Sequence, residues 1–120
     1  MRTLLICLLI LSSVPFLTAQ SSNKIVQDEE SGKPMLIGPC TREAFNDTSF
    51  SGWFNAEYNM YQPDTVTVRE IEYNLDDVKT TIIMGTWCSD SREQVPHFFK
   101  VMDKAGYPED AVSIICVNRD

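Results

Sequence analysis

The chain has 120 residues, of which 43% are hydrophobic and 22% charged, and its formal net charge at pH 7 is −7. This length supplies one small hydrophobic core and leaves no room for a second one. The acidic excess repels phosphate backbones and anionic membrane surfaces, and no run of Lys and Arg offsets it. We therefore expect no nucleic-acid partner and one functional site at most.

The first segment, residues 1–19, has the pattern of a secretory signal peptide. Arg2 supplies a positive start, residues 4–11 are an unbroken apolar run, and Ala19 is a small residue before Gln20. We expect cleavage after Ala19 and an exported protein, periplasmic or extracellular. An uncleaved membrane anchor is the alternative, although the apolar run is shorter than the roughly 20 residues that a spanning helix needs.

The segment that follows, residues 20–33, is polar and lacks the apolar spacing of a packed element. We predict a flexible leader here and a single domain over residues 34–120. Residues 34–39 then contain a short apolar stretch bounded by Gly and Pro, which fits either an edge strand or a packed loop.

Aromatic residues dominate the next segment, and the spacing of Phe54, Tyr58 and Tyr61 places three of them on one helical face. We predict a helix from about Phe50 to Tyr61. Packing beside the main sheet is our interpretation of these aromatics, and an aromatic groove for a peptide or ligand is the alternative.

A second helix is predicted after Asp64, which is a suitable N-cap. Val68, Ile71 and Leu75 follow at helical spacing. The alternation of Thr with Val66 and Val68 fits a strand equally well, and we favour the helix.

The last part of the chain predicts two strands with a helix between them. Residues 80–85 are mainly β-branched and end in Gly, which is typical of a buried parallel strand. Helical spacing of apolar residues over 91–104 precedes a second β-rich run at 111–117. Strand, helix and strand form the unit that lays two parallel strands side by side. The expected fold class is α/β, a βαβ unit preceded by an aromatic-rich helical segment.

Three cysteines follow the predicted cleavage site, namely Cys40, Cys88 and Cys116. In an oxidising compartment an odd number leaves at least one thiol unpaired or paired with another molecule. The cysteines are scattered singly, without the spacing of a zinc site, so we predict no metal and no cofactor.

Cys88 is the predicted nucleophile because it lies where a strand gives way to a helix. Its sulfur can face the positive end of the helix dipole and the unpaired N–H groups of the first turn. Both favour the thiolate, which is the reactive form in disulfide exchange. We expect the charge of Asp90 to oppose the thiolate and that of Arg92 to support it.

The run from Trp87 to Ser91 reads Trp-Cys-Ser-Asp-Ser, and Pro96 lies eight positions after Cys88. This spacing resembles the thioredoxin active-site segment, in which Trp-Cys opens a helix kinked by a proline. More narrowly, it is similar to exported bacterial thioredoxin-like proteins with Trp-Cys-x-Asp-Ser at this turn. The resemblance covers residues 80–120. It implies a thioredoxin-like fold and thiol–disulfide exchange with protein thiols or disulfides, or with a small thiol.

The motif departs from the family at two positions. Ser91 replaces the second cysteine, so a two-thiol cycle cannot run at this CxxS motif and a single-thiol cycle remains. The family resemblance implies that the Ser91 hydroxyl donates a hydrogen bond to the Cys88 thiolate. Ile82 stands where thioredoxins place a buried acid. We expect a site that is poor at repeated reduction of disulfides.

The family's domain continues with a strand preceded by a cis-proline, a further strand and a terminal helix, for which this chain shows no counterpart before Asp120. The resemblance therefore implies an incomplete thioredoxin-like domain. We favour truncation. The alternative is a sheet completed by the amino-terminal segment or by a second copy.

A competing hypothesis is a non-catalytic binding or scaffold module with the same fold. In it, Cys88 is inert or forms a static disulfide with Cys40 or Cys116. We interpret Cys116 as a small apolar residue of a buried strand. Its position near the carboxyl end of that strand leaves a bridge to Cys88 open.

Overall fold

The computed structural model describes residues 22–119, so the predicted signal peptide and its cleavage site lie outside the described residues. Within this part, two strands come first, two α-helices follow, and a strand–helix–strand unit ends the chain segment. The strands are β1 Lys24–Gln27, β2 Pro34–Cys40, β3 Thr80–Met84 and β4 Val112–Cys116. The α-helices are α1 Ser51–Met60, α2 Thr65–Glu72 and α3 Ser89–Lys104, and 3-10 turns cover Arg42–Asn46 and Glu109–Ala111.

The four strands form one mixed sheet in the order β1-β2-β4-β3. β3 and β4 are parallel, from Thr80 opposite Val112 to Met84 opposite Cys116, and α3 connects them. β2 pairs with β4 and β1 pairs with β2, both antiparallel. The predicted α/β class and the parallel β3–α3–β4 unit are therefore confirmed.

We predict a flexible leader over residues 20–33, and this prediction is wrong for Lys24–Gln27, because these residues form the strand β1. Ile25 and Val26 of this strand lie opposite Leu36 and Met35 of β2. A strand of four residues has too little length to show an apolar period, and its partner strand supplies the hydrogen bonds that fix it. β2 is an inner strand between β1 and β4, and therefore neither the edge strand nor the loop that its composition suggested.

Both predicted helices of the middle segment are confirmed. α1 covers the expected aromatic stretch, and α2 begins directly after Asp64. The Asp64 carboxylate accepts hydrogen bonds from the backbone N–H and the hydroxyl of Thr67, each at 2.8 Å. This cap satisfies an N–H group of the first turn and so favours the helix over the alternative strand.

The core lies between the sheet and the packed pair α1 and α3. Phe54 of α1 stacks on Phe45 with ring centroids 4.7 Å apart, and it lies 6.1 Å from Phe99 of α3. This agrees with aromatic core packing as our interpretation of the segment. The fully buried large side chains are Leu36, Phe45, Phe50, Pro96, Phe99 and Cys116.

Strand β3 is buried on one face only, whereas its composition predicts a buried strand. Met84 is buried, but Ile83 is 70% exposed. The helices α1 and α3 pack on the face that carries Met84, Ile114 and Cys116. The alternate residues of β3 point to the opposite face, because successive side chains of a strand alternate.

Candidate functional site

Cys88 is the N-cap of α3 and lies in the loop after β3. Its backbone N–H donates to the carbonyl of Gly85 at 3.0 Å, and its own carbonyl accepts from the N–H of Arg92 at 3.0 Å. These two bonds fix a tight turn between strand and helix. Cys88 is partly exposed to solvent.

The pKa of the Cys88 thiol lies below its usual range. The largest cause is the nearby backbone N–H of Ser91. The Ser91 hydroxyl and the backbone N–H of Asp90 lower the pKa further, while burial and the Asp90 carboxylate act against them. The direction of this shift is the one expected for a thiol at the start of a helix.

Ser91 contacts both sides of the loop. Its hydroxyl oxygen accepts from the backbone N–H of Gly85 at 3.3 Å, and its hydroxyl and its N–H both interact with the sulfur of Cys88. One side chain therefore connects the residue after β3 with Cys88. The role of Ser91 in supporting a thiolate stays a prediction.

The indole ring of Trp87, next to Cys88, contacts three neighbours. Its indole N–H donates to the carbonyl of Val117 at 3.0 Å, and the guanidinium of Arg119 lies 4.8 Å from its ring centroid. Gly85 lies under the ring so closely that a Cβ at that position would come within 2.6 Å of it. The glycine that directly follows β3 is therefore required for the observed position of Trp87.

Arg92 and Pro96 extend the motif along α3. The guanidinium of Arg92 lies 5.2 Å from the ring centroid of Trp53, and the causes of the lowered pKa of Cys88 are groups of Ser91 and Asp90. Pro96 is fully buried. The motif therefore contributes to α3 in two places: Cys88 is its N-cap, and Pro96 packs its first half into the core.

The other two cysteines lie together on the sheet. Cys40 of β2 lies opposite Ile114 and Cys116 of β4 lies opposite Gly38, so the two cysteines are diagonal neighbours on one face. Both are buried, and burial together with Cys40 raises the pKa of the Cys116 thiol. Within residues 22–119, the three cysteines Cys40, Cys88 and Cys116 are free thiols. The structure thus brings Cys116 to Cys40, and no disulfide joins either one to Cys88.

A cavity of about 300 Å³ adjoins Trp87 on the side of β2 and α1. Two of its lining residues, Asp28 and Arg119, received no role from the sequence. They form an ion pair at 3.1 Å, and Asp28 is only 3% exposed. The two residues are 91 positions apart, so no local pattern could associate them. The opposite charges of the two residues were the only feature of the sequence that could have suggested this ion pair.

The described residues offer little else for chemistry. Residues 22–119 contain no group of three or more His, Cys, Asp or Glu side chains that could hold a metal ion. No helix in the same range is long and apolar enough to span a bilayer.

Comparison with protein-family models found no match for the chain, and comparisons with curated proteins and with solved structures found none either.

Proposed function

We propose that this protein is an exported thioredoxin-like protein that carries out monothiol thiol–disulfide exchange through Cys88. The observation that carries the proposal is the partly exposed Cys88 at the N-cap of α3, where the neighbouring groups of Ser91 and Asp90 lower the pKa of its thiol. The Trp-Cys-x-Asp-Ser motif and the β3–α3–β4 unit support the same assignment.

In the proposed reaction, the Cys88 thiolate attacks one sulfur of a disulfide. A new S–S bond joins Cys88 to that sulfur, the original S–S bond breaks, and the departing thiolate takes the bonding electron pair and a proton from water. Ser91 has no thiol to attack the adduct. An external thiol, from a protein or a small molecule, therefore resolves it and restores Cys88.

The second candidate is a non-catalytic binding or scaffold module in which Cys88 is inert. Two observations favour it, because burial and the carboxylate of Asp90 both act against the thiolate. The two candidates differ in the reactivity of one sulfur atom, which can be measured directly.

The test is alkylation of the folded protein with iodoacetamide as a function of pH, followed by peptide mapping. We expect Cys88 to be labelled first, with an inflection below the ordinary thiol pKa of about 8.5. Ser91→Ala removes the hydroxyl but keeps the backbone N–H, so we expect the rate at neutral pH to fall about two- to tenfold, the effect of one net hydrogen bond. Faster labelling of Cys40 or Cys116 at neutral pH would favour the second candidate.

A further inference from the structure

The cavity beside Trp87 has cationic walls in a chain whose formal net charge is −7. Three cationic side chains line it, Lys33, Arg92 and Arg119, together with one carboxylate, that of Asp28. A positive cavity in an acidic protein concentrates anions locally, because low-dielectric walls focus the field of the charges that line them.

The carboxylate of Asp28 compensates only one of these cations. Arg119 lies 3.1 Å from Asp28 and 3.4 Å from Glu30. Among the described residues, no carboxylate lies within 4.0 Å of Arg92 or Lys33. Two cations in the same cavity are therefore available to an anionic group from outside the chain.

The cavity lies beside the loop that carries Cys88, although Cys88 itself is not among its lining residues. Trp87, which directly precedes Cys88, forms part of its wall. Arg92 lies one helical turn after Cys88, and side chains four positions apart on a helix are neighbours. A volume of about 300 Å³ matches the lower end of the range for small-molecule sites.

From these contacts we infer that the cavity binds the carboxylate of a small thiol while its sulfur is joined to Cys88, so that Cys88 reacts preferentially with small anionic disulfides. The inference rests on the exchange function proposed above. The thiolate of Cys88 displaces one half of the disulfide, which leaves as a thiolate and is protonated by water. The other half stays on Cys88 with its carboxylate near Arg92 and Lys33.

Two disulfides of similar length test the inference, the dianion 3,3′-dithiodipropionate and the dication cystamine. The rate at which each forms an adduct on Cys88 is followed by intact mass and peptide mapping. Each rate is divided by the rate at which the same disulfide reacts with 2-mercaptoethanol, a thiol that carries no other charged group. This division removes the difference between the leaving groups. The ratio of the two normalised rates is independent of the thiolate fraction of Cys88.

For the wild type we expect the normalised rate with 3,3′-dithiodipropionate to exceed that with cystamine, a ratio above one, although the protein is negatively charged overall. Arg92→Gln and, separately, Lys33→Gln should each lower the ratio about threefold to tenfold, as loss of one nearby charge predicts. Lys33 is exposed, so its variant tests the inference even if loss of Arg92 disturbs the packing on Trp53. Lys79→Gln makes the same charge change beyond the opposite end of β3 and should leave the ratio within about twofold.

A wild-type ratio at or below one, or a ratio that neither Arg92→Gln nor Lys33→Gln lowers, would overturn the inference and leave the exchange function intact. Failure of every disulfide to form an adduct on Cys88 would overturn both.

Discussion

At the scale of the residue, the chemistry of this site depends on how the groups in the first turn of α3 change the pKa of the Cys88 thiol. The N–H groups of Ser91 and Asp90 lower the pKa of the Cys88 thiol, while the Asp90 carboxylate opposes this shift. The sequence predicts that Cys88 lies where a strand gives way to a helix, and the structure has it there, because both elements follow from local patterns. The support of the thiolate by Arg92 stays a prediction; the guanidinium lies 5.2 Å from the ring centroid of Trp53.

The absence of a thiol at position 91 has a direct kinetic consequence. We expect the wild type to be a weak insulin reductase, because the mixed disulfide on Cys88 is resolved only when an external thiol attacks it. Ser91→Cys supplies an attacking group within the same helical turn, at a far higher effective concentration, and should raise insulin turnover. The half-buried Ile82 offers no proton acceptor, which limits the gain.

Turnover of insulin and the disulfide state of the Ser91→Cys variant are the measurements. Cys88→Ser provides the control, with no turnover expected. A Ser91→Cys variant that forms no disulfide between positions 88 and 91 would contradict the proximity of these two side chains, on which the predicted gain in turnover depends.

At the scale of the element, the loop between β3 and α3 is positioned by the packing of Trp87 on Gly85. Gly85→Ala would place a methyl group about where the indole ring now lies, since a Cβ there comes within 2.6 Å of it. We expect a loss of about 1–3 kcal/mol in the free energy of unfolding, as for overpacking elsewhere. Urea denaturation followed by tryptophan fluorescence measures it.

Gly52 supplies the matched control for this substitution. It lies in α1, and a Cβ there meets nothing within 4 Å. Gly52→Ala should therefore leave the protein unchanged or stabilise it by up to about 1 kcal/mol through helix propensity. Equal stability changes for the two glycines would refute the requirement for Gly85.

A second contact between elements predicts how stability depends on pH. Burial would raise the pKa of Asp103, but hydrogen bonds from Arg42 and Tyr58 outweigh it and hold that pKa below its usual range. Arg42 donates two hydrogen bonds at 2.7 Å and Tyr58 donates one at 2.6 Å. These bonds connect the first 3-10 turn and α1 with α3.

The unfolded chain therefore binds a proton at this position more readily than the folded one. Its contribution to stability is present above about pH 4 and is lost as the pH falls through the folded pKa. Asp103→Asn should destabilise the protein at pH 7 and flatten the fall in stability toward acid. Urea midpoints between pH 7 and pH 3 measure this, and parallel curves for the two proteins would contradict it.

At the scale of the whole molecule, the sequence predicted what local patterns record. The spacing of apolar residues located α1, α2 and α3, and β-branched runs located β3 and β4. It did not predict β1, or the inner position of β2, because partner strands decide these features. The ion pair of Asp28 with Arg119, which contributes to one wall of the cavity beside Trp87, joins residues at opposite ends of the described chain and leaves no local trace.

The same reasoning explains the cysteines. Cys40 and Cys116 are diagonal neighbours only because β2 pairs antiparallel with β4, and that pairing was unknown from the sequence. Both are buried, which keeps their sulfur atoms from solvent, and burial also raises the pKa of the Cys116 thiol. Cys88 remains as the accessible cysteine of the three that the structure describes.

The central claim is that Cys88 exchanges thiols with disulfides. Its most direct test is to mix the folded protein with insulin at pH 7, quench with acid and map the mixed disulfide by mass spectrometry without reduction. The account predicts an adduct joined through Cys88, absent from Cys88→Ser and released by a small thiol. An adduct joined through Cys40 or Cys116, or no adduct on the wild type, would contradict it.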